Sequence, residues 1–295
     1  GHIDFNVRKA VRLGLKPEQA IKMATIQAAK CYGLHHLGAI APGYQADFVV
    51  LDNLDEMNVL EVYHKGNKII RDEKVEIRPC SPQLKNTVHL LGFKESNLRL
   101  PWKQGRVHII KMFAGQIVTE DIMEEVGYVD ENGQKFFKAD ETYQKIAAVE
   151  RHKNTGKVGV GIVKGFGLQG GAIASSVSHD SHNLIVIGDN DHDMYLAVQE
   201  LLRVQGGYTL VENGEVFDTL PLPIMGLMSD AGYEKVNEKL ARMIPKAHEM
   251  GIPKGFDPFI TLSFMALPVI PQIRITPRGV YLTKEDRMIQ SPFDH

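Results

Sequence analysis

A chain of 295 residues lies near the length at which one hydrophobic core stops growing, so two or three domains are expected. Its 43% hydrophobic and 24% charged residues suit a soluble globular protein, and a formal net charge of -2 argues against nucleic acid or a membrane surface as partner. Two cysteines, Cys31 and Cys80, form no disulfide framework and read as buried or idle thiols in a reducing, cytoplasmic setting, and no apolar run nears the ~20 residues that span a bilayer. The first residue is Gly1 rather than methionine, so the chain is expected to be a processed product or a piece of something longer.

Residues 3 to 14 carry Ile3, Val7, Ala10, Val11 and Leu13 at helical spacing, with Gly14 as the stop. Pro17 opens a second helix, with Ala20, Ile21, Ala24, Ala28 and Ala29 along one face, ending at Gly33. A Pro42-Gly43 turn then leads to a strand over Phe48 to Leu51, and "VLEVYHKGNKII" reads as two short strands about Lys65-Gly66-Asn67. Residues 72 to 104 are weakly patterned and hold three prolines, the mark of a connector. From 105 the pattern is rich in strands. Asn132-Gly133, Asn154-Thr155-Gly156 and Asn213-Gly214 each predict a hairpin turn. Helices are predicted from about Met194 to Val204 and from about Tyr233 to Met250, and after them come an apolar stretch with Pro268 and Pro271 and further short strands. The second half is therefore α+β with antiparallel hairpins.

Three stretches imitate ligand motifs. "GFGLQG", Gly165 to Gly170, has dinucleotide spacing, but the next residues, "GAIASSVSHD", are rich in Ser and β-branched side chains and form no amphipathic helix whose N-terminus could hold a pyrophosphate. It reads as a glycine loop that lets two backbones pass closely. In "DNDHDMYLAVQE", Asp189, Asp191, Asp193 and Glu200 match calcium-loop positions, but Met194 stands where that loop needs glycine and a strand precedes it. Helix entry explains the same letters: Asp191 or Asp193 as cap, and Met194, Ala197, Val198 and Leu201 as the buried stripe. "SHDSHN", Ser178 to Asn183, falls at the turn of a strand pair, where His179, Asp180 and His182 can converge as ligands to zinc, manganese or iron. The same trio suits a proton shuttle, and Asp180 and Asn183 equally suit plain turn hydrogen bonding.

"GLKPEQAIKMATIQAAKCYGLHHLGAIAPGYQADFVVLD" resembles the closing segment of the amidohydrolase superfamily, through Pro17, Ala20, Ala24, Thr25, Ala28, Ala29, Gly33, Gly38, Pro42, Gly43, Ala46 and Asp47. "GKVGVGIVKGFGLQGGAIASSVSHDSHNLIVIGDNDHDM", "LPLPIMGLMS" and "FITLSFMALPVIP" resemble the C-terminal domain of the adenine deaminase family, and "GHIDFNVRKAV" its sequence after the last catalytic barrel strand. The resemblance implies hydrolytic deamination of adenine to hypoxanthine and ammonia in purine salvage, by a hydroxide formed on Mn2+ or Fe2+, with Zn2+ a further candidate. It also implies that the principal metal ligands lie upstream of Gly1, since no His-x-His occurs in the chain.

The expected organisation is the last helices of a truncated (β/α)8 barrel over 1–37, part of a small β-sandwich over 38–78, a connector over 79–104, and the family-specific α+β domain over 105–295. The chain is expected to be inactive alone, as a structural or assembly module or as one half of a split enzyme. Its expected partners are the missing N-terminal barrel portion and a second copy of itself, in a homo-oligomer, because the apolar face of helix 17 to 32 needs cover. His179, Asp180, His182 and Asn183 are the candidates to face the active-site region, because barrel sites open where added domains can cover them.

Overall fold

A computed structural model describes residues 2–69 and 80–294; the early part of the connector, 72 to 79, lies outside the described residues. The chain divides into two compact units, Gly1–Ile77 and Arg78–His295.

In the first unit, α1 (Ile3–Arg12) buries no residue fully. The second expected helix is continuous but not uniform: α2 (Pro17–Lys22) passes through a π-helical turn, Met23–Gln27, into α3 (Ala28–Cys31). Within it, Thr25 Oγ1 donates to Ile21 O at 2.6 Å, the back-bond that often accompanies a local change of helical pitch. A three-stranded antiparallel sheet comes next, β1 (Phe48–Leu51), β2 (Val59–His64) and β3 (Asn67–Ile69), with Phe48 stacked on Tyr63 at 4.5 Å between ring centres. Asp47 fixes the β2–β3 turn by accepting from Lys65 N–H at 2.8 Å. Cys31 and Cys80 are both free; neither is buried, and Cys31 is exposed, so of the two readings, buried or idle, burial does not apply.

The second unit begins with 3-10 turns at Pro82–Leu84 and Glu95–Leu98. Its strands are β4 (Val107–Met112), β5 (Thr119–Glu124), β6 (Tyr128–Glu131), β7 (Gln134–Phe137), β8 (Tyr143–Val149), β9 (Val158–Lys164), β10 (Gly171–Ser175) and β11 (Leu184–Gly188). After α4 (Asp191–Val204) come β12 (Gly207–Glu212) and β13 (Glu215–Pro221), then α5 (Tyr233–Glu249) and α6 (Pro258–Phe264). The chain closes with β14 (Ile273–Thr276), β15 (Gly279–Leu282) and β16 (Arg287–Ile289). Eight strands form one sheet in the order β13-β12-β10-β11-β8-β9-β4-β5; β14–β16 form a second sheet and β6–β7 a two-stranded ribbon. All three hairpins at Asn-Gly or Asn-Thr-Gly form where predicted. The β4–β9 pair is parallel, which the antiparallel expectation does not include.

The large sheet is apolar on both faces. On β11, Leu184 and Val186 pack with α4 residues Met194, Ala197, Val198 and Leu201, while Ile185 and Ile187 join Met243 and Ala247 of α5 and Phe259 and Leu262 of α6. Burial on both sides is why "LIVIG" is a continuous apolar run rather than an alternating one. Each fully buried large aliphatic contributes about 1.5–3 kcal/mol, against about 0–1 for an exposed ion pair, so this two-sided core rather than surface charge positions the sheet. The sequence pattern does not predict α6, although its start carries a regular signal: Pro258 comes directly after Asp257, whose Oδ1 accepts from Phe259 and Ile260 N–H at 3.1 and 2.9 Å.

One polar clamp joins α5 to the sheet edge. The buried Asp218 on β13 accepts from Lys239 at 2.5 Å, Arg242 Nε at 3.0 Å and Thr219 N–H at 2.8 Å. Burial works against its charge, but Lys239, the Thr219 N–H and Arg242 together hold its pKa below the ordinary carboxylate value. A carboxylate with a depressed folded pKa stabilises above its unfolded pKa and loses that stabilisation as pH falls through the folded value. Asp218→Asn is therefore expected to cost about 1–3 kcal/mol at pH 7, the range of charge-assisted bonds to partly solvated partners. In urea titrations the gap between variant and parent should close at acid pH; a gap unchanged from pH 7 to below pH 3 would refute this origin.

Candidate functional site

Residues 176–183 connect β10 to β11, which pair antiparallel from Ser175↔Ile185 to Ala172↔Gly188. The turn is closed on itself and tied outward. Ser178 is fully buried; its N–H donates to His182 Nδ1 at 3.3 Å and its carbonyl accepts from His182 N–H at 2.5 Å. His182 takes a left-handed backbone, φ 50°. His179 N–H donates to Ser263 O at 2.8 Å, which fastens the turn to α6. The His179 ring lies 5.8 Å from that of His182 and 5.0 Å from that of Phe264, centre to centre. The two predicted imidazoles are thus brought together. Asp180 is exposed, and Asn183 is committed elsewhere: its Oδ1 accepts from Arg151 N–H at 3.3 Å and its Nδ2 donates to Ser181 Oγ at 3.0 Å.

Burial lowers the pKa of His182, and the charges of His179, Arg151 and His152 act in the same direction. The ring is therefore neutral near pH 7, and because Nδ1 accepts the Ser178 N–H, its proton sits on Nε2. In this state His182 presents a hydrogen-bond donor rather than a base. Ser178 Oγ is buried and has no hydrogen-bond partner among the described residues.

The residue that braces this turn carries no signal in the sequence pattern. Arg151, 1% exposed, comes after β8 and donates from Nε to His182 O, from Nη1 to Thr87 O at 3.0 Å, and from Nη2 to Met225 O at 3.0 Å. Burial pushes its pKa down to about 10, still far above neutrality, so it remains a cation. Its three carbonyl partners are distant in sequence, and no local pattern announces them. The neighbouring His152 lies with Nε2 2.7 Å from Ser181 O.

The other two motifs serve each other. Asp189 accepts from Gly170 N–H at 2.5 Å and Gly171 N–H at 3.1 Å, so the end of "GFGLQG" is held by the start of "DNDHDM". That glycine loop runs into β10, not a helix. A Cβ on Gly167 would lie 2.8 Å from Gly251 O, and one on Gly165 would lie 2.7 Å from Met112 O, so the glycines serve close backbone passage. Asp191 pairs with Lys145, and Asp193 accepts from Gly214 N–H at 2.9 Å. The helix cap is neither aspartate, as expected, but Asn190, whose Oδ1 accepts from Asp193 N–H at 2.8 Å. The predicted stripe of Met194, Ala197, Val198 and Leu201 is fully buried.

Among the described residues no group of three or more His, Cys, Asp and Glu side chains could hold a metal ion, so His179, Asp180 and His182 do not form a three-ligand cluster in this conformation. Nor, among the described residues, is any helix long and apolar enough to cross a membrane.

Residues 3–70 match the amidohydrolase family, which sets the broad class of the N-terminal unit. Residues 116–287, more than half of the chain, match the adenine deaminase C-terminal domain, and the chain belongs to that family. Among its relatives, an adenine deaminase of Desulfitobacterium hafniense is 52% identical over 290 residues, covering 98% of this chain and 50% of the relative. An adenine deaminase of Petrotoga mobilis is 42% identical over 297 residues, covering 95% and 50%. One of Dehalococcoides mccartyi is 40% identical over 292 residues, covering 98% and 51%. The chain spans about half the length of these relatives.

Proposed function

We propose that this chain is the C-terminal portion of an adenine deaminase, an enzyme in which water replaces the exocyclic amine of adenine to give hypoxanthine and ammonia. The reading is carried by the pair of family matches, amidohydrolase at 3–70 and adenine deaminase C-terminal domain at 116–287, on one chain whose relatives bear the name adenine deaminase. In this reading residues 1–37 are the last helices of the barrel, 38–78 part of the β-sandwich, 79–104 a connector and 105–295 the family-specific domain. The divalent metal, Mn2+ or Fe2+ with Zn2+ as a further candidate, is assigned in this reading to the portion of the relatives that this chain does not span, as the family resemblance implies. The chain by itself is then inactive. The missing barrel portion, or a second copy in a homo-oligomer, covers the apolar faces of α1 and of the π-helical turn after α2, where Ile3 and Met23 stand exposed.

His179 and His182 are assigned to face the substrate region, with Asp180 beside them and Asn183 as the brace beneath. The neutral His182, with its proton on Nε2, suits hydrogen bonding to an acceptor nitrogen of a purine. The test joins the chain to the N-terminal half of the Desulfitobacterium hafniense relative in one polypeptide and monitors ammonia release from adenine with Mn2+, Fe2+ or Zn2+ supplied. Turnover by the joined protein and none by the 295-residue chain is the expected result. Enzyme-like turnover by the chain alone, or a folded joined protein that stays silent, would overturn the reading. In the joined protein, His179→Ala with His182→Ala should lower kcat roughly tenfold or more, the scale of a lost positioned polar group; an unchanged kcat and KM would remove the turn from the site.

A further inference from the structure

A positively charged hollow of the second unit lies beside the 178–183 turn and shares Asn183 with it. Two adjoining cavities, about 480 Å³ and about 370 Å³, share Lys157, Pro277, Arg278 and Met288 in their walls. They lie between the β8–β9 turn and the β14–β15 turn, and their size falls within the roughly 300–1,000 Å³ of small-molecule sites. Lys153 lines the smaller cavity. Lys153, Lys157 and Arg278 are exposed, and none of the three ion-pairs with a carboxylate among the described residues.

The single carboxylate among the described lining residues is already satisfied. Glu150 accepts from the backbone N–H groups of His152, Lys153 and Thr155 at 2.6, 2.8 and 3.0 Å, and from the Thr155 hydroxyl at 3.0 Å. Burial opposes its ionisation, but these bonds prevail and lower its pKa to about 2. Its charge is spent on shaping the turn that carries Lys153 and Lys157. Three cations therefore face the hollow against one internally bonded carboxylate.

The walls are not only charged. Val158, Pro277 and Met288 supply an apolar surface next to the cations. A bare inorganic anion would satisfy the cations and leave that surface wet, whereas a ligand with a flat apolar body and a multiply charged end uses both. The guanidinium of Arg278 offers a planar fork to phosphate oxygens, and the lysines act as point charges.

We propose that this groove binds a nucleoside diphosphate, with the phosphates between Lys153, Lys157 and Arg278 and the nucleoside against Val158, Pro277 and Met288. The ligand would also touch the candidate turn, since Asn183 lines the smaller cavity and the adjacent His152 contacts Ser181. ADP binding here stands independently of the deaminase reading and is measured on the 295-residue chain itself.

Calorimetric titration with ADP at low salt should show saturable binding of one equivalent, weakening as ionic strength rises. Pyrophosphate and adenosine, each lacking half of the ligand, should bind at least about tenfold more weakly. The double charge reversal Lys157→Glu with Arg278→Glu, at two exposed positions, should weaken ADP about thirtyfold or more while leaving the thermal transition in place. Absence of saturation at millimolar ADP, or equal affinity in the charge-reversed variant, would overturn the site. Pyrophosphate binding as tightly as ADP would overturn the assignment of a nucleoside. Should the double variant fail to fold, Lys153→Gln with Arg278→Gln gives the same decision, with a smaller expected loss.

Discussion

Replacing Arg151 by alanine is expected to lower the unfolding free energy of the second unit by about 3–5 kcal/mol, among the largest effects of any single substitution outside the apolar core. The guanidinium serves Thr87, His182 and Met225 carbonyls at once, and its removal takes a charged donor from partly buried acceptors on three separate segments while leaving a void where a fully buried side chain stood. Each bond to a charged donor contributes about 1.5–3 kcal/mol, partly offset because a buried cation no longer has to be desolvated. Lysine keeps the charge but lacks the planar fork, so Arg151→Lys should fall between alanine and the parent. Urea unfolding monitored through Trp102, the chain's single tryptophan, reads the difference. A loss within the ±0.5 kcal/mol of an ordinary surface change would mean that the turn holds itself without this brace.

The second large effect is expected at Lys145. This side chain on β8 is only 5% exposed and pairs with Asp191 at the start of α4, which keeps 24% of its side-chain surface. Burial lowers the Lys145 pKa and raises that of Asp191, in each case against the pull of the partner. The pair is thus held together by mutual need. Lys145→Met leaves the Asp191 carboxylate enclosed without its counter-ion and should cost about 2–4 kcal/mol near pH 7, below the 3–5 of a fully enclosed pair because Asp191 retains some water.

The pH dependence gives the sign. Without Lys145 the folded pKa of Asp191 stands still further above its unfolded value, so the folded state takes up a proton first as pH falls. The deficit is then full at neutral pH and shrinks below the folded pKa, vanishing under the unfolded value of about 3.9. Removing both partners, as Lys145→Met with Asp191→Leu, should recover much of the loss. A deficit that stays constant from pH 7 to pH 4 would point to lost packing by the lysine stem rather than to charge.

Much of the fold is legible because its signals are local. Asn132-Gly133 and Asn213-Gly214 specify hairpins through residues that tolerate positive φ, and both hairpins form. The spacing of Met194, Ala197, Val198 and Leu201 specifies a buried helical stripe wherever the helix packs. The placement of "SHDSHN" at the turn between two strands is also readable, since apolar β-branched runs flank it on both sides. The aspartates of "DNDHDM" read correctly as helix entry, yet the cap itself lies a residue or more from where they put it: Asn190 and Asp191 are both good caps, and only the tertiary pairing of Asp191 with Lys145 leaves Asn190 to fill that role.

The parallel β4–β9 pair is beyond the reach of local patterns, because each strand is compatible with either direction and the choice depends on where the intervening ribbon and β8 lie. The anatomy of the candidate turn is hidden for a related reason. Its residue types are visible in order, but the hydrogen bonds of Arg151 run to residues 64, 31 and 74 positions away, and His179 is fastened to Ser263 on a helix that the pattern does not reveal. By itself, then, the amino-acid order determined turns, helix faces, apolar strands and the family resemblance, all of which are written in neighbouring residues. Tertiary structure alone decided which imidazoles meet, which aspartates are consumed in bracing, and which cations remain without partners among the described residues, because those outcomes depend on segments that approach only when the two faces of the large sheet are covered.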